Sequence, residues 1–178
     1  MSIVERKVMS IVERQELPEY IELLAAQKNI YSRAKNIIGF QMILSVPIAI
    51  CAVITTIVKP DLSGYIAIWG ILVVVFDLFV FTPWVRRLQD NAARIQELFD
   101  VKVLGLIWNE ISVGKRPEPE LVHEEAKKHG MKEEEITCLR KWYPTLIGGV
   151  QEKFGVIISQ RANIWWDARM RRKYVLSV

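Results

Sequence analysis

The stretch NIIGFQMILSVPIAICAVITTIV, residues 36–58, contains no charged side chain. It is longer than the roughly 20 apolar residues with which a helix crosses a hydrocarbon core of about 30 Å. Because lipid offers no hydrogen-bond partners, the backbone of such a segment must pair with itself, and a helix is predicted. Pro47, near the middle of the segment, predicts a kink in this helix.

A second apolar stretch, LSGYIAIWGILVVVFDLFVFTPWV, occupies residues 62–85. Its run of valines at 73–75 is typical of a strand in water, but a lone strand in lipid would leave its backbone groups unpaired. The second segment is therefore also predicted to be a transmembrane helix. Only residues 59–61 separate the two segments, so they are expected to form an antiparallel hairpin with both outer ends on one side.

Basic residues at the outer ends of the hairpin predict which side that is. Arg33 and Lys35 precede the first segment, and Arg86 and Arg87 follow the second. Cytoplasmic loops next to membrane spans carry an excess of Lys and Arg. Both chain termini are therefore expected in the cytoplasm.

The remaining sequence predicts helices. Apolar residues recur at helical spacing before the first span, and no segment shows strand alternation. The sequence thus predicts an all-α membrane protein, a two-helix transmembrane hairpin with a mostly helical cytoplasmic domain. Segment 99–111 is compatible with a strand, a buried loop or a helix. The expected parts are a cytoplasmic amphipathic helix at 1–35, spans at 36–58 and 62–85, and a cytoplasmic helical domain at 86–178 leading to a further span.

Composition argues against several classes of function. The net charge of +4 arises mainly from basic residues at the membrane edges and near the C-terminus, so no nucleic-acid polymer is expected as a partner. Cys51 and Cys138 have no metal-binding spacing, and neither a metal nor a cofactor is predicted. His123-Glu124-Glu125 lacks the second histidine of a zinc protease motif and is predicted to be a solvated helix face. No catalytic motif is present, which predicts a protein that is not an enzyme.

Polar residues within the spans are the first candidate functional group. Asp77 is the ionisable residue inside a span, where a charge is costly and usually faces protein or a cavity. It is predicted either to line a pore or an oligomer contact, or to be protonated or to reach toward interfacial water. Gln41 and Thr55 are further candidate pore or span contacts.

A second candidate group lies near the C-terminus. Trp165 and Trp166 lie close to Arg161 and Arg169, and aromatic rings with guanidinium groups suit a nucleobase and a phosphate. The alternative is a helix whose tryptophans fill the core of the soluble domain, and composition alone favours this alternative. Trp142, in the segment LRKWYP, is open to the same two interpretations, as a ligand contact or as a packed helix end.

Several segments together carry a resemblance that covers most of the chain. They are LLAAQKNIYSRAK (23–35), the proline-bearing span after it, ARIQELFD (93–100), LIWN (106–109), RKWYP (140–144) and SQRANIWWDARMRRKY (159–174). In this order they resemble the SMODS-associated four-transmembrane effectors of bacterial antiviral defence. That family has four spans and this chain has two, and residues 169–173 are expected to be the basic flank of a further span.

The resemblance implies a function. It implies an effector in the bacterial inner membrane that responds to a cyclic or oligonucleotide messenger, made by a partner nucleotidyltransferase, and then disrupts the bilayer or forms a pore. A homo-oligomer is expected. The candidate sensing residues are Arg94, Trp142, Arg161, Trp165, Trp166 and Arg169. The alternative is a membrane-anchored adaptor or scaffold that recruits a protein partner.

Overall fold

Two long helical segments carry both apolar stretches in the computed structural model, which describes residues 9–130 and 133–176. Short helix α1 (Ile11–Gln15) precedes helix α2 (Pro18–Val58), whose 41 residues extend for about 60 Å. The helix α2 continues through Pro47. The chain then returns through four consecutive elements: a 3-10 turn (Pro60–Leu62), α3 (Ser63–Phe76), a π-helical segment (Asp77–Phe81) and α4 (Thr82–Leu104).

The ends of these helices have local causes. Pro18 occupies the first turn of α2, where a missing N–H costs nothing because that group has no partner within the helix. Helix α4 ends where Gly105 adopts φ +67°, a left-handed conformation that glycine reaches without a steric penalty. Segment 99–111, for which the sequence left three alternatives, is therefore helical as far as Leu104.

The π-helical segment lies directly before Pro83. Proline cannot donate a backbone hydrogen bond to the residue four positions earlier, and its ring displaces that carbonyl. The chain responds by widening one turn, in which the Thr82 N–H donates to the carbonyl of Asp77. Insertions of this kind within α-helices occur frequently at functional sites. Here the widened turn begins at the ionisable residue of the second span.

The hydrophobic core lies outside the spans, where α2 and α4 pack against each other. Alanines at the contact, among them Ala26 and Ala92, are fully buried and let the two backbones approach closely. Larger buried side chains from both helices fill the layer around them: Leu24, Ile30, Ile95, Phe99 and Val103. The same two helices therefore build the extramembrane core and carry the spans.

The spans themselves are almost entirely exposed. None of the most apolar window of either long helical segment is buried, and side chains such as Ile43 (74% exposed) and Phe79 (76%) point outward. Buried core helices of soluble proteins do not have this property. An apolar surface of this extent is stable only in an apolar solvent. The predicted fold class, an all-α membrane protein with a two-helix hairpin, is confirmed, and the described residues contain no strand.

The rest of the described chain wraps around the extramembrane part of α2 and α4. It forms α5 (Glu110–Val113), α6 (Pro119–His129), α7 (Glu133–Leu139), a 3-10 segment (Thr145–Gly149) and α8 (Glu152–Leu176). Near its start α8 pairs through Glu152 with Arg14, which lies beside Gly105 at the end of α4. Further along, Asn163 bonds Asp100. Helix α8 therefore runs antiparallel to α4, toward the spans.

Candidate functional site

Trp165, Trp166 and Arg169 form an exposed cluster on α8, which we call the Trp-Arg cluster. The two indole rings meet edge to face with their centroids 5.0 Å apart. The Arg169 guanidinium lies 5.0 Å from the ring centroid of Trp165 and 5.6 Å from that of Trp166. Both distances are within the range of a cation–π interaction. Trp165 is 52% exposed and Trp166 is 54% exposed. The prediction that these tryptophans fill the core is therefore wrong.

The reason lies in which face of α8 packs inward. Gly155, Ser159 and Asn163, spaced four residues apart, face the domain, and Gly155 contacts the side chains of Ile11 and Ile147 closely. Small residues at this face allow a close approach of the helix. The larger apolar residues, including both tryptophans, are left on the exposed side. The apolar pattern of α8 therefore indicated the wrong face as the buried one.

The other candidate sensing residues are distributed over the domain. Arg161 is exposed on α8 and precedes Trp165 by one helical turn, which places it on the same side of the helix. The rings of Trp142 and Phe99 meet edge to face, with their centroids 6.1 Å apart. Arg94 lies on α4 with its guanidinium against Gly114. Of the six predicted residues, the structure brings together the three of the Trp-Arg cluster, with Arg161 next to them.

Arg94 contacts a loop that is closed by another tryptophan, Trp108. The indole N–H of Trp108 donates to the carbonyl of Gly114 at 3.0 Å and closes the loop that contains α5. Arg116 lies over the Trp108 ring at 6.0 Å. Trp108 is buried, so this arrangement holds the loop against α4 and leaves little of the ring accessible to a ligand.

A buried polar network is the main feature that residue patterns did not predict. The Tyr143 hydroxyl donates to Asp100 Oδ1 at 2.5 Å, and the Asn163 amide donates to Asp100 Oδ2 at 3.0 Å. The Gln15 side chain bonds both backbone groups of Tyr143. The network therefore joins α1, α4, α8 and the segment after α7. The one available signal was that Asp100, Tyr143 and Asn163 each lie in a segment that carries the family resemblance.

Burial changes the ionisation of this network. Removal from water raises the pKa of Asp100 to about 6, although the hydrogen bond from Tyr143 acts in the opposite direction. The pKa of Tyr143 is raised far above its ordinary value by burial and by the neighbouring carboxylate of Asp100. Tyr143 is therefore a neutral donor at every physiological pH. Asp100 carries the negative charge, and the hydrogen bonds from Tyr143 and Asn163 hold it in place.

Between α4 and α8 lies a groove of about 560 Å³ next to this network. Its lining includes Glu97, Asp100 and Asp167, together with the amides of Gln96 and Gln160. Three carboxylates produce a negative potential, which repels phosphate groups. This groove is therefore a poor candidate for a messenger site.

Glu125 departs from the predicted solvated face of α6. Glu124 and His123 are exposed, but Glu125 is only 4% exposed and bonds Arg33 at 2.7 Å and Asn29 at 2.8 Å, both on α2. Burial acts to raise its pKa, yet the bonds and charges of Arg33 and Lys128 outweigh burial and hold the pKa below the ordinary value. The arrangement fastens α6 to α2. The helix period alone did not show which of the three residues faces inward.

Within the spans, the structure pairs two of the three candidates. The Gln41 side-chain amide donates to Asp77 and so joins the first span to the second. The Thr55 hydroxyl instead donates to the carbonyl of Cys51 in its own helix, at 2.8 Å. The predicted span contacts therefore divide into an interhelical bond and a local one. The pore or oligomer role of these residues stays a prediction.

Comparison with known proteins identifies the family. A model of the SMODS-associating 4TM effector domain matches residues 9–178. The chain belongs to this family. The family expected from the ordered sequence segments is thereby confirmed. A protein of Bacillus cereus (strain VD146), described as a probable CBASS effector molecule, is 26% identical over 174 residues. That match covers 92% of this chain and 56% of the relative, and no solved structure matches.

Family membership agrees with the fold. An effector domain of the 4TM family is a membrane protein, and the described residues of this member contain two helices long and apolar enough to cross a bilayer. The described residues contain no group of three His, Cys, Asp or Glu side chains arranged to hold a metal ion.

Proposed function

We propose that this chain is the signal-responsive part of a membrane effector in a bacterial antiphage defence system. A cyclic or oligonucleotide messenger binds its cytoplasmic domain, and the bound form permeabilises the inner membrane. The observation that carries the proposal is the continuity of the two long helical segments. Helix α2 and the α3–α4 segment each extend from the extramembrane core into a span, so a change in packing at the core moves the spans.

The Trp-Arg cluster is the receptor that we propose for the messenger. Its two exposed indole faces can stack on nucleobases, and the cation of Arg169 beside them can pair with a phosphate. Arg161, one turn earlier, adds a second cation on the same side. A ligand shifts a conformational equilibrium only when it binds one conformation more tightly than the other. Helix α8 contributes Asn163 to the network with Asp100 on α4, which provides a route from the cluster to a span-bearing helix.

Dye release from liposomes tests this proposal. The full-length effector is reconstituted with an entrapped fluorophore and exposed to a panel of cyclic dinucleotides, cyclic trinucleotides and linear oligoadenylates. We expect at least one messenger to raise the release rate about tenfold or more. Release from R169A and from the double variant W165A/W166A should need at least tenfold more messenger, which corresponds to about 1.4 kcal/mol.

The matched control is K153A, because Lys153 is exposed on the same helix and lies about three turns before Trp165. Its messenger requirement should change less than twofold. Absence of release with every messenger contradicts the membrane-permeabilising function. Equal losses in R169A and K153A contradict the cluster as the receptor and leave general attraction by the basic residues of α8.

One observation favours a second candidate function, a membrane-anchored adaptor. The outer side of α8 exposes large apolar side chains beyond the cluster: Phe154, Ile157, Ile158 and Ile164. A partner protein could cover such a face. Replacement of residues 36–85 with an unrelated transmembrane hairpin distinguishes the two functions. An adaptor retains phage protection after this exchange, whereas the proposed effector loses it.

A further inference from the structure

Helix α8 exposes an apolar stripe on the side that faces away from the domain. We call this stripe the α8 seam, and its members are spaced alternately three and four residues apart and are all exposed: Phe154, Ile157, Arg161, Ile164 and Ala168. The large apolar side chains are 59% exposed in Phe154, 61% in Ile157 and 71% in Ile164. Ile158 and Trp165 extend the apolar surface along one edge. The seam therefore presents about four turns of helix as one continuous surface.

The spacing of the seam indicates what kind of surface covers it. Its members repeat every 3.5 residues on average, which is the period with which one helix packs along another in a coiled coil. The inner face of α8 has a different spacing, because Gly155, Ser159 and Asn163 recur every four residues and face the domain. No residue in 9–130 or 133–176 buries the seam. Contiguous apolar surface marks a protein interaction site, and this period favours a helix as the partner.

A second copy of this chain presents a helix with the required direction. Both copies carry their spans in the same bilayer with the same orientation, and in each of them α8 runs toward the spans. Two neighbouring α8 helices are therefore parallel. A two-fold axis along the membrane normal then brings each seam residue opposite its own equivalent. Ile157 meets Ile157 of the partner subunit, and Ile164 meets Ile164 of the partner subunit.

Charged residues beside the seam fit the same arrangement. Asp167 and Arg172 are both exposed and lie five residues apart, on opposite edges of the seam. Side chains with this spacing face each other across two parallel helices in register, and such pairs set partner choice and orientation. Asp167 therefore lies opposite Arg172 of the partner subunit, and the symmetry supplies this attraction twice. A second copy thus matches both the apolar spacing and the flanking charges of the seam.

Arg161 is the charged member of the seam. In the parallel arrangement it meets Arg161 of the partner subunit, and like charges repel more strongly where apolar groups exclude water. A polar residue at such a position fixes the register of two helices at a cost in stability. Pairing through the seam is therefore weakened by Arg161 and remains reversible.

We propose that α8 pairs in parallel with α8 of a second copy through the seam, and that Arg161 limits the strength of this contact. The pairing joins the extramembrane domains of two copies and brings their hairpins next to each other in the bilayer. Trp166 follows Ile164 by two residues, or about 200° around the helix, so its ring stays accessible to a ligand when the seam is covered. The interface forms without a messenger.

Disulfide cross-linking of the full-length protein in liposomes tests the interface. The native cysteines are first replaced in C51S/C138S, and A168C then places one thiol in the seam. Because the two-fold axis brings position 168 opposite itself, the two thiols lie within reach of a disulfide. After oxidation we expect at least tenfold more dimer from A168C than from S112C. The latter is the matched control, since Ser112 is exposed on α5.

Substitutions in the A168C background test the chemistry of the seam. I164D places a carboxylate from each copy in the apolar contact, and should raise the protein-to-lipid ratio needed for half-maximal cross-linking at least fivefold. The matched control is I107D, because Ile107 is 92% exposed in the loop after α4 and lies outside the seam. Its ratio should change less than twofold. R161L completes the apolar stripe and should lower the ratio at least fivefold.

Three results would overturn the α8 interface. They are equal cross-linking of A168C and S112C at every dilution, equal losses in I164D and I107D, and an unchanged or higher ratio in R161L. The first leaves the seam to a different protein, the second indicates general hydrophobic association, and the third indicates a contact that does not pass through Arg161. Because these measurements use neither dye release nor a messenger, the interface and the proposed effector function can fail separately.

Discussion

Asp100 shows how a single buried carboxylate shapes this domain. It accepts hydrogen bonds from Tyr143 and Asn163, and it is nearly excluded from water. Burial raises its pKa to about 6, from an ordinary value of 3.8. The folded protein therefore holds the proton of this group more tightly than the unfolded chain does.

The first prediction concerns pH. Between about pH 4 and 6 the unfolded state loses the Asp100 proton first, so the free energy of unfolding should fall as pH rises, by roughly 3 kcal/mol in total. In Asp100→Asn this fall should disappear. The variant should also lose about 1 kcal/mol at low pH, because its oxygen accepts from Tyr143 and the NH2 group that then faces Asn163 cannot accept a hydrogen bond. Thermal unfolding in detergent at pH 4, 5, 6 and 7 measures both effects, and a wild-type stability that rises over this range would contradict the assignment.

Asp90→Asn is the matched control for this measurement, because Asp90 is an exposed carboxylate on the same helix. Its pH profile should follow that of the wild type. If both variants flatten the profile equally, the slope reflects the overall charge of the domain and not the buried network.

The second prediction compares two neighbouring glutamates. Glu125→Gln removes a buried charge that binds Arg33 and Lys128, and should lower the free energy of unfolding by about 1–3 kcal/mol. Glu124→Gln removes an exposed charge that pairs with Lys128, and should change it by less than about 1 kcal/mol. Denaturant unfolding in detergent at pH 7 measures the difference. Equal effects of the two variants would show that Glu125 does not fasten α6 to α2.

At the scale of elements, the two span-bearing segments differ in regularity. Helix α2 runs through Pro47 as one helix, whereas the second segment changes to a π-helical turn before Pro83. Asp77, at the start of that turn, receives the bond from Gln41 on α2. Polar bonds between helices in a bilayer fix the relative rotation and depth of two spans, because few other polar partners exist there.

The third prediction is a measurable coupling between these two side chains. A double-mutant cycle with Gln41→Leu and Asp77→Leu should give a coupling energy of about 0.5–2 kcal/mol. Thr55→Val should change stability little, since its hydroxyl bonds a carbonyl of its own helix. Unfolding of the detergent-solubilised variants in rising concentrations of SDS measures the cycle. Strict additivity would mean that the Gln41–Asp77 bond does not hold the hairpin together.

Element boundaries were partly predictable from local chemistry. One helix begins at Pro18, and two helices end at Gly105 and Gly130, because of the backbone preferences of proline and glycine. Such signals can be read from a sequence. The identity of segment 99–111 could not be settled in this way. Its apolar residues differ in burial, since those up to Leu104 are buried whereas Ile107 and Ile111 are exposed, so their pattern has no clear period.

At the scale of the whole molecule, the helices that form the extramembrane core also form the spans. Because α2 is a single helix from Pro18 to Val58, rotation or tilt of its lower half is transmitted to the bilayer. The proposed signalling mechanism depends on this stiffness.

The fourth prediction tests that mechanical connection. Insertion of two glycines after Lys35 should weaken the helix at the membrane edge, at a cost of about 1 kcal/mol per glycine. Messenger binding should remain within about twofold, while messenger-dependent dye release should fall at least tenfold. The same insertion between Lys59 and Pro60, where the helix already ends, should leave release nearly unchanged. Full release from the Lys35 insertion would contradict transmission through α2.

The sequence by itself determined the hairpin and its two spans. Uncharged segments of this length have one stable form in lipid, and a three-residue connection forces them to run antiparallel. The ordered segments were also sufficient to predict the family. Only the tertiary structure decided which residues of the helical domain are buried. Helix α8 carries its large apolar residues on the exposed side, because packing of its glycine and serine face turned Trp165 and Trp166 outward. Likewise, Asp100, Tyr143 and Asn163 lie 43 and 20 residues apart in sequence and meet because α4 and α8 run antiparallel.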